Sequence, residues 1–159
     1  MIGAATGIGR AAAVQFVDNG ADIVIADINL PAAEETIASL ARSGRHASAV
    51  TCDVRDEASV RDAVSTAASQ MGGIDTLVFF AGLQKLGHAE QFAAADWDAV
   101  FDVNARGTFL ATKYAVPFIR RAGGGSVITT SSLAGLRGAP GMTGYAAAKG
   151  AVIAYTVAL

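Results

Sequence analysis

Three observations predict an α/β fold built on a doubly wound parallel sheet with helices on both faces. Short apolar runs rich in Val and Ile alternate with segments of helical period, each roughly 10 to 15 residues long. Hydrophobic residues make up 52% of the 159 and charged residues only 16%, a balance that suits strands buried on both sides. A glycine-rich turn, Gly3 to Gly9, opens the first helical segment. The length suits one domain over 1–159 and is too short for two of ordinary size.

The elements follow in order. From Gly7 to about Asn19 the small and apolar residues Ile8, Ala11, Ala12, Val14, Phe16 and Val17 fit a helix that Asn19-Gly20 ends. Asp22 to Ala26 reads as a buried strand. Pro31 starts a helix reaching about Ser43, then come a strand at Ala47 to Cys52 and a helix from about Glu57 to Gln70. Ile74 to Phe80 is the next strand. Asp96 to Arg121 is helical, with bends expected at Gly107 and Pro117. Ser126 to Ser131 is a strand, and a loop carrying Gly135, Gly138, Pro140, Gly141 and Gly144 leads into a final helix running to Leu159. Alternation of this kind implies right-handed crossovers and a ligand crevice at the carboxyl ends of the strands, the Rossmann-like arrangement.

Composition also excludes function classes. A formal net charge of −2 offers no electrostatic footprint for nucleic acid, and the adjacent pair Arg120-Arg121 reads as a helix C-terminus. Cys52 is the one cysteine; set among Ala49, Val50 and Val54 it reads as a buried thiol in a reducing compartment. His46 and His88 stand apart without ligand spacing, so no metal is expected. No uncharged run approaches the roughly 20 residues of a membrane span, and the N-terminus lacks a basic region followed by an apolar run. The expectation is a soluble, cytoplasmic protein.

Gly3-Ala4-Ala5-Thr6-Gly7-Ile8-Gly9 sets three glycines where the chain turns tightly, admits a pyrophosphate against the backbone, and packs the following helix on the sheet. The free N–H groups at that helix start, with Thr6 and Ile8 beside them, face the phosphates. Asp27 comes 24 residues after Gly3, directly after the run Ile23 to Ala26 and before Ile28. There its carboxylate can accept from both hydroxyls of an adenosine ribose. A 2'-phosphate would bring like charges about 4 Å apart, costing up to roughly 4 kcal/mol at an effective dielectric near 20, so NAD is expected over NADP. The competing role for Asp27 is a cap for the turn at Ile28 to Pro31. Asp53, at the end of the next strand, has two readings, adenine contact or turn capping.

Tyr145 and Lys149 stand four apart at a helix start, so both lie on one face. Ser132 precedes Tyr145 by thirteen residues, just past a strand end, and the glycine-rich loop can fold it back toward that face. An alcohol–ketone reaction needs such a trio. A phenol, near 10 unperturbed, becomes a usable base when a neighbouring ammonium favours the phenolate, and a serine hydroxyl can hold the substrate oxygen.

On these motifs the chain resembles the short-chain dehydrogenase/reductase family, in the branch with Gly-x-x-x-Gly-x-Gly and Tyr-x-x-x-Lys, over nearly its whole length. The resemblance implies Gly3, Thr6, Gly7, Ile8 and Gly9 at the pyrophosphate, Asp27 and Ile28 at the ribose, and Asp53-Val54 at the adenine. It also implies Ala81, Gly82, Tyr145 and Lys149 in further cofactor contact, and Ser132, Tyr145 and Lys149 in catalysis. Asn104 joins them: by the resemblance it interrupts a helix and holds a water linking Lys149 to solvent. Read from its own neighbours, Asn104 is an ordinary helix-interior or cap residue. The spacing of the family puts catalysis at Ser132 and leaves Ser131 structural.

Three departures from the family pattern stand out. Phe79-Phe80-Ala81-Gly82 replaces Asn-Asn-Ala-Gly, keeping the close-approach residues while exchanging amides for rings, so a looser or differently packed strand end is expected. Ile2 stands where Thr is usual. The sheet is expected to be incomplete at both ends, with only Met1 and Ile2 before the glycine loop and the sixth and seventh strands absent. The first strand would lie between those at 22–27 and 74–80, leaving a gap in the sheet centre.

The function expected is NAD-dependent interconversion of a secondary alcohol and a ketone, with a small-molecule substrate and a homodimer or homotetramer in the full-length form. The alternatives are a non-catalytic dinucleotide-binding protein that senses redox state or assembles with partners, an inactive fragment, and a sugar-nucleotide epimerase or dehydratase. The glycine spacing of this chain does not fit the last.

Overall fold

A computed structural model describes residues 1–40 and 44–159. Its elements are α1 (Gly7–Asp18), β1 (Ile23–Asp27), α2 (Leu30–Leu40), β2 (Ala47–Thr51), α3 (Glu57–Met71), β3 (Thr76–Phe79), α4 (Ala94–Phe101), a π-helical turn (Asp102–Arg106), α5 (Gly107–Arg121), β4 (Ser126–Thr129), α6 (Leu133–Arg137) and α7 (Thr143–Val157). The alternation expected from the sequence is there. The expected end of the second helix, near Ser43, lies outside the described residues.

All strand pairings are parallel. Ile23 to Asp27 lie opposite Ala47 to Thr51, and Thr76 to Phe79 opposite Ser126 to Thr129. Ile2 joins the two pairs, bridging Ala26 on one side and Phe79 on the other. Its N–H donates to the Val78 carbonyl and its carbonyl accepts from Phe80 N–H, both at 2.8 Å. Ala26 N–H donates to the Met1 carbonyl at 2.8 Å. The expected central gap is therefore closed at the carboxyl ends of the strands, because two residues suffice to carry the ladder across. Toward the amino ends the pairs are separated by a groove of about 440 Å³ between β1 and β3, lined by Ile23, Val24, Ile74, Thr76 and Val78 among others.

The sheet divides two apolar cores, as a three-layer α/β structure requires. On one face Val60, Val64, Leu77, Phe79, Leu110 and Ala115 pack together under α3 and α5. On the other, Ala13, Val17, Ile23, Ile25, Ala33 and Leu40 pack under α1 and α2. Cys52 is buried in the first core, as expected, and burial together with the nearby Asp53 and Asp27 carboxylates pushes its thiol up to about 12. Local chemistry sets the element ends. The Asp56 carboxylate accepts from Ala58 N–H at 2.9 Å to cap α3, and Gly72, at φ +72°, terminates it in the left-handed conformation.

Helical structure continues through Pro117 within α5, and an irregularity falls at Asp102–Arg106, immediately before Gly107. Three expectations are corrected. The glycine-rich loop after β4 contains a helix, α6, whose first turn is capped by Ser132. β4 ends at Thr129 and α7 at Val157, both short of the expected Ser131 and Leu159.

The Phe79-Phe80 end of β3 packs into both cores. Phe79 is 1% exposed and meets Gly107, where a Cβ would stand 3.2 Å from the ring. Phe80 packs toward the opposite core.

Candidate active site

The carboxyl ends of β1, β2, β3 and β4 open on a cleft of about 570 Å³. Its lining gathers Gly3, Thr6, Ile8, Gly9, Asp27, Ile28, Asp53, Val54, Ala81 and Gly82, which the sequence had separated by up to 79 positions. Arg55, Phe80, Leu83, Val103 and Thr130 complete the wall.

Each glycine of the loop has its own steric reason. Gly3, at φ +76°, passes so close to Ala81 that a Cβ would meet its nitrogen at 2.3 Å. A Cβ on Gly9 would strike Ala4 and the Gly3 carbonyl at 2.6 Å, so this glycine lets α1 begin against the loop. Gly7, at φ +57°, has nothing within 4 Å of its Cβ direction. Thr6 precedes α1 without capping it through its side chain, which leaves the first-turn N–H groups free to receive an anion. An uncapped helix start, with Thr6, Ile8 and Gly9 on the cleft, fits a pyrophosphate.

Asp27 fills the turn-capping role foreseen for it and lines the cleft. Its Oδ2 accepts from Ala5 N–H and its Oδ1 from Asn29 N–H, each at 3.0 Å, so the carboxylate ties the glycine loop to the turn before α2. A carboxylate oxygen has a second lone pair, so acceptor capacity remains on the cleft side. Asp53 follows its turn-capping reading: Arg55 donates from its backbone N–H to Oδ1 and from its guanidinium to both oxygens, at 2.7 to 3.2 Å. Hydrogen bonding to Arg55 holds that carboxyl below the ordinary range.

Lys149, Tyr145 and Asn104 come together beside this cleft. Lys149, 3% exposed on α7, donates from Nζ to the Thr130 carbonyl at 2.8 Å and lies 5.8 Å from the centroid of the Tyr145 ring. Burial lowers its pKa. Asn104, fully buried within the π-helical turn, donates from Nδ2 to the carbonyls of Leu83 and Val100 at 2.7 and 2.8 Å. Its Oδ1 is buried without a partner. A Cβ on Gly82 would stand 3.3 Å from Asn104 Oδ1 and 3.7 Å from Lys149 Nζ, so amide oxygen and ammonium surround one point at the cleft floor. Thr108 Oγ1 donates to the Asn104 carbonyl at 2.6 Å, satisfying one carbonyl that the widened turn displaces.

Ser132 Oγ accepts from Ala134 N–H at 3.2 Å, and Ser131 Oγ donates to the Lys149 carbonyl at 2.7 Å. Ser131 thus braces the α7 backbone, and Ser132 caps α6. Among the cleft residues that sequence reasoning missed are Arg55, Phe80, Leu83, Val103 and Thr130. The Asx-turn spacing of Arg55 after Asp53 was a usable signal, whereas Thr130 and Leu83 act through carbonyls, which every residue has.

The family profile described as short chain dehydrogenase matches residues 1–159. The chain belongs to the short-chain dehydrogenase family. It is 39% identical over 158 residues to the uncharacterised oxidoreductase YxbG of Bacillus subtilis, covering 99% of this chain and 58% of that protein. It is 34% identical to cyclohexanol dehydrogenase of an Acinetobacter species, covering 98% of this chain and 62% of that one. The crystal structure of NAD+-bound xylitol dehydrogenase superposes with a TM-score of 0.94 at 31% identity, covering 98% of this chain and 60% of that one. The short-chain dehydrogenase chain described here thus spans about three fifths of these relatives. Its Rossmann-like sheet is the one the sequence predicted. Among the described residues, no helix is long and apolar enough to cross a membrane.

Proposed function

We propose that this short-chain dehydrogenase is an NAD-dependent oxidoreductase that interconverts a secondary alcohol and a ketone. The observation that carries this reading is the convergence of buried Lys149, the Tyr145 ring and the unpartnered Asn104 Oδ1 beside Gly82, which lines a cleft whose other walls include the glycine loop and Asp27.

In the oxidative direction Ser132 and Tyr145 hold the substrate hydroxyl, and Tyr145, as phenolate, accepts its proton. Lys149 favours the phenolate by placing an ammonium beside it. Burial opposes that charge, and the Thr130 carbonyl supports it by accepting from Nζ. Asn104 Oδ1 is the acceptor left to steady a water through which Lys149 exchanges protons with solvent. A bound nicotinamide supplies the hydride acceptor, or the donor in reverse. Asp27 accepts from the adenosine ribose and disfavours a 2'-phosphate, giving NAD over NADP.

The relatives support a small-molecule substrate: one is named for cyclohexanol, and a structural neighbour for xylitol with NAD+ bound. Phe109 on α5 and Val157 at the end of α7 are exposed apolar residues on the helices through which a homodimer or homotetramer would form.

The test is a screen of secondary alcohols with NAD, followed at the reduced-nicotinamide absorbance band, with Tyr145→Phe beside the wild type. Turnover should fall by roughly 100- to 10,000-fold in Tyr145→Phe. Turnover that survives the substitution sinks the mechanism.

A further inference from the structure

Two glycines near the site have no backbone reason to be glycine. Gly87 and Gly144 are absent from the residues with positive φ. Gly144 sits in the first turn of α7, where glycine costs about 1 kcal/mol against alanine. A side chain explains both. A Cβ on Gly87 would lie 2.8 Å from Cδ2 of Phe92, and a Cβ on Gly144 would lie 2.6 Å from Cε1 and 3.0 Å from Cζ of the same ring. Opposite edges of the ring therefore press on the two glycines. The ring is wedged between the loop after β3 and the start of α7.

Hydrogen bonds close the same junction. Gly87 N–H donates to the Gly141 carbonyl at 2.8 Å, Thr143 Oγ1 donates to the Gly87 carbonyl at 2.9 Å, and Gly87 pairs with Met142 as a parallel bridge. Gly144 immediately precedes Tyr145. The wedge thus fixes the height of the α7 start against the loop carrying Gly82, the residue that faces Asn104 and Lys149.

We propose that Phe92 is a positioning residue for the reaction: wedged between Gly87 and Gly144, it sets the placement of Tyr145 relative to Lys149 and the substrate mouth. This rests on the function proposed above. The ring touches neither reacting atoms nor the cofactor cleft, so its effect must pass through the Tyr145 backbone.

The experiment is a double-mutant cycle on the protein, with kcat, KM, the pH profile of kcat and the NAD dissociation constant measured for each variant. Gly144→Ala forces a methyl into the ring and should lower kcat about 10- to 100-fold, the scale of a sub-ångström to 1 Å misplacement. It should also displace the ascending limb of the pH profile and leave NAD affinity unchanged. In a Phe92→Ala background the same Gly144→Ala change should cost little further, and Phe92→Leu should retain most of the wild-type kcat. Equal cost of Gly144→Ala in both backgrounds overturns the wedge. An unmoved pH profile with lowered melting temperature reduces Phe92 to core packing and overturns the positioning role. Loss of turnover in Tyr145→Phe alongside full turnover in every Phe92 variant refutes this inference alone. Wild-type turnover that survives Tyr145→Phe, or no wild-type turnover at all, refutes the reaction reading and this inference with it.

Discussion

Lys149 places a cationic side chain at 3% exposure, where burial lowers its pKa below the ordinary lysine value. The sign of the linkage follows. Below the ordinary value the unfolded chain binds more protons than the folded one, so this site makes stability rise with pH until both states are neutral. Lys149→Met removes the site. The urea midpoint of the wild type should therefore gain on that of Lys149→Met between pH 7 and about 10, and a constant difference would show that Lys149 keeps its ordinary pKa. Asp27 is tested separately. Its carboxylate both anchors Ala5 N–H and faces the cleft, so Asp27→Ala should weaken NAD binding while narrowing the preference over NADP. Retention of the preference, measured by titrating both nucleotides, would remove Asp27 as the selector. The pairing of Tyr145 with Lys149 was legible because a four-residue spacing puts both on one face of α7. Phe92 was not, because its partners, Gly87 and Gly144, are 57 positions apart and meet only once β3 and α7 are docked.

Among the elements, the junction of α4 and α5 shows how a departure in sequence is absorbed. Phe79 occupies space that Gly107 leaves: a Cβ there would stand 3.1 to 3.2 Å from Val54 and from the ring. Gly107→Ala should therefore destabilise by about 1 to 3 kcal/mol as overpacking, read from urea unfolding. A neutral result would mean that the ring has room to retreat. Asp56→Ala should cost about 1 kcal/mol by uncapping α3, with the NAD site untouched. Helix and strand order was legible because the period changes cleanly between segments. The π-helical turn was reached only through the family resemblance, since Asp102–Arg106 has nothing in its composition that distinguishes it from ordinary helix. α6 escaped notice because five residues that include Gly135 and end at Gly138 carry too little periodicity to outweigh a loop composition.

At the scale of the whole molecule, the strand order β2, β1, Ile2, β3, β4 places every strand's carboxyl end on one rim, and the glycine loop, Asp27, Ala81-Gly82 and Thr130 all lie there. The parallel order was legible from the alternation and the glycine turn. The closing of the sheet by Ile2 was not, because a two-residue run carries no strand signal, and only the flanking edges of β1 and β3 make it one. The opposite rim, with its 440 Å³ groove, contains none of the predicted site residues. The central claim is that the carboxyl-end cleft is a nicotinamide-dinucleotide site selective for NAD, and it needs no knowledge of the substrate to test. Calorimetric titration of the protein with NAD and NADP should show saturable NAD binding, at least tenfold tighter than NADP, and lost in Gly3→Ala, where a Cβ would collide with Ala81. Binding of neither nucleotide, or of NADP as tightly as NAD, would contradict it.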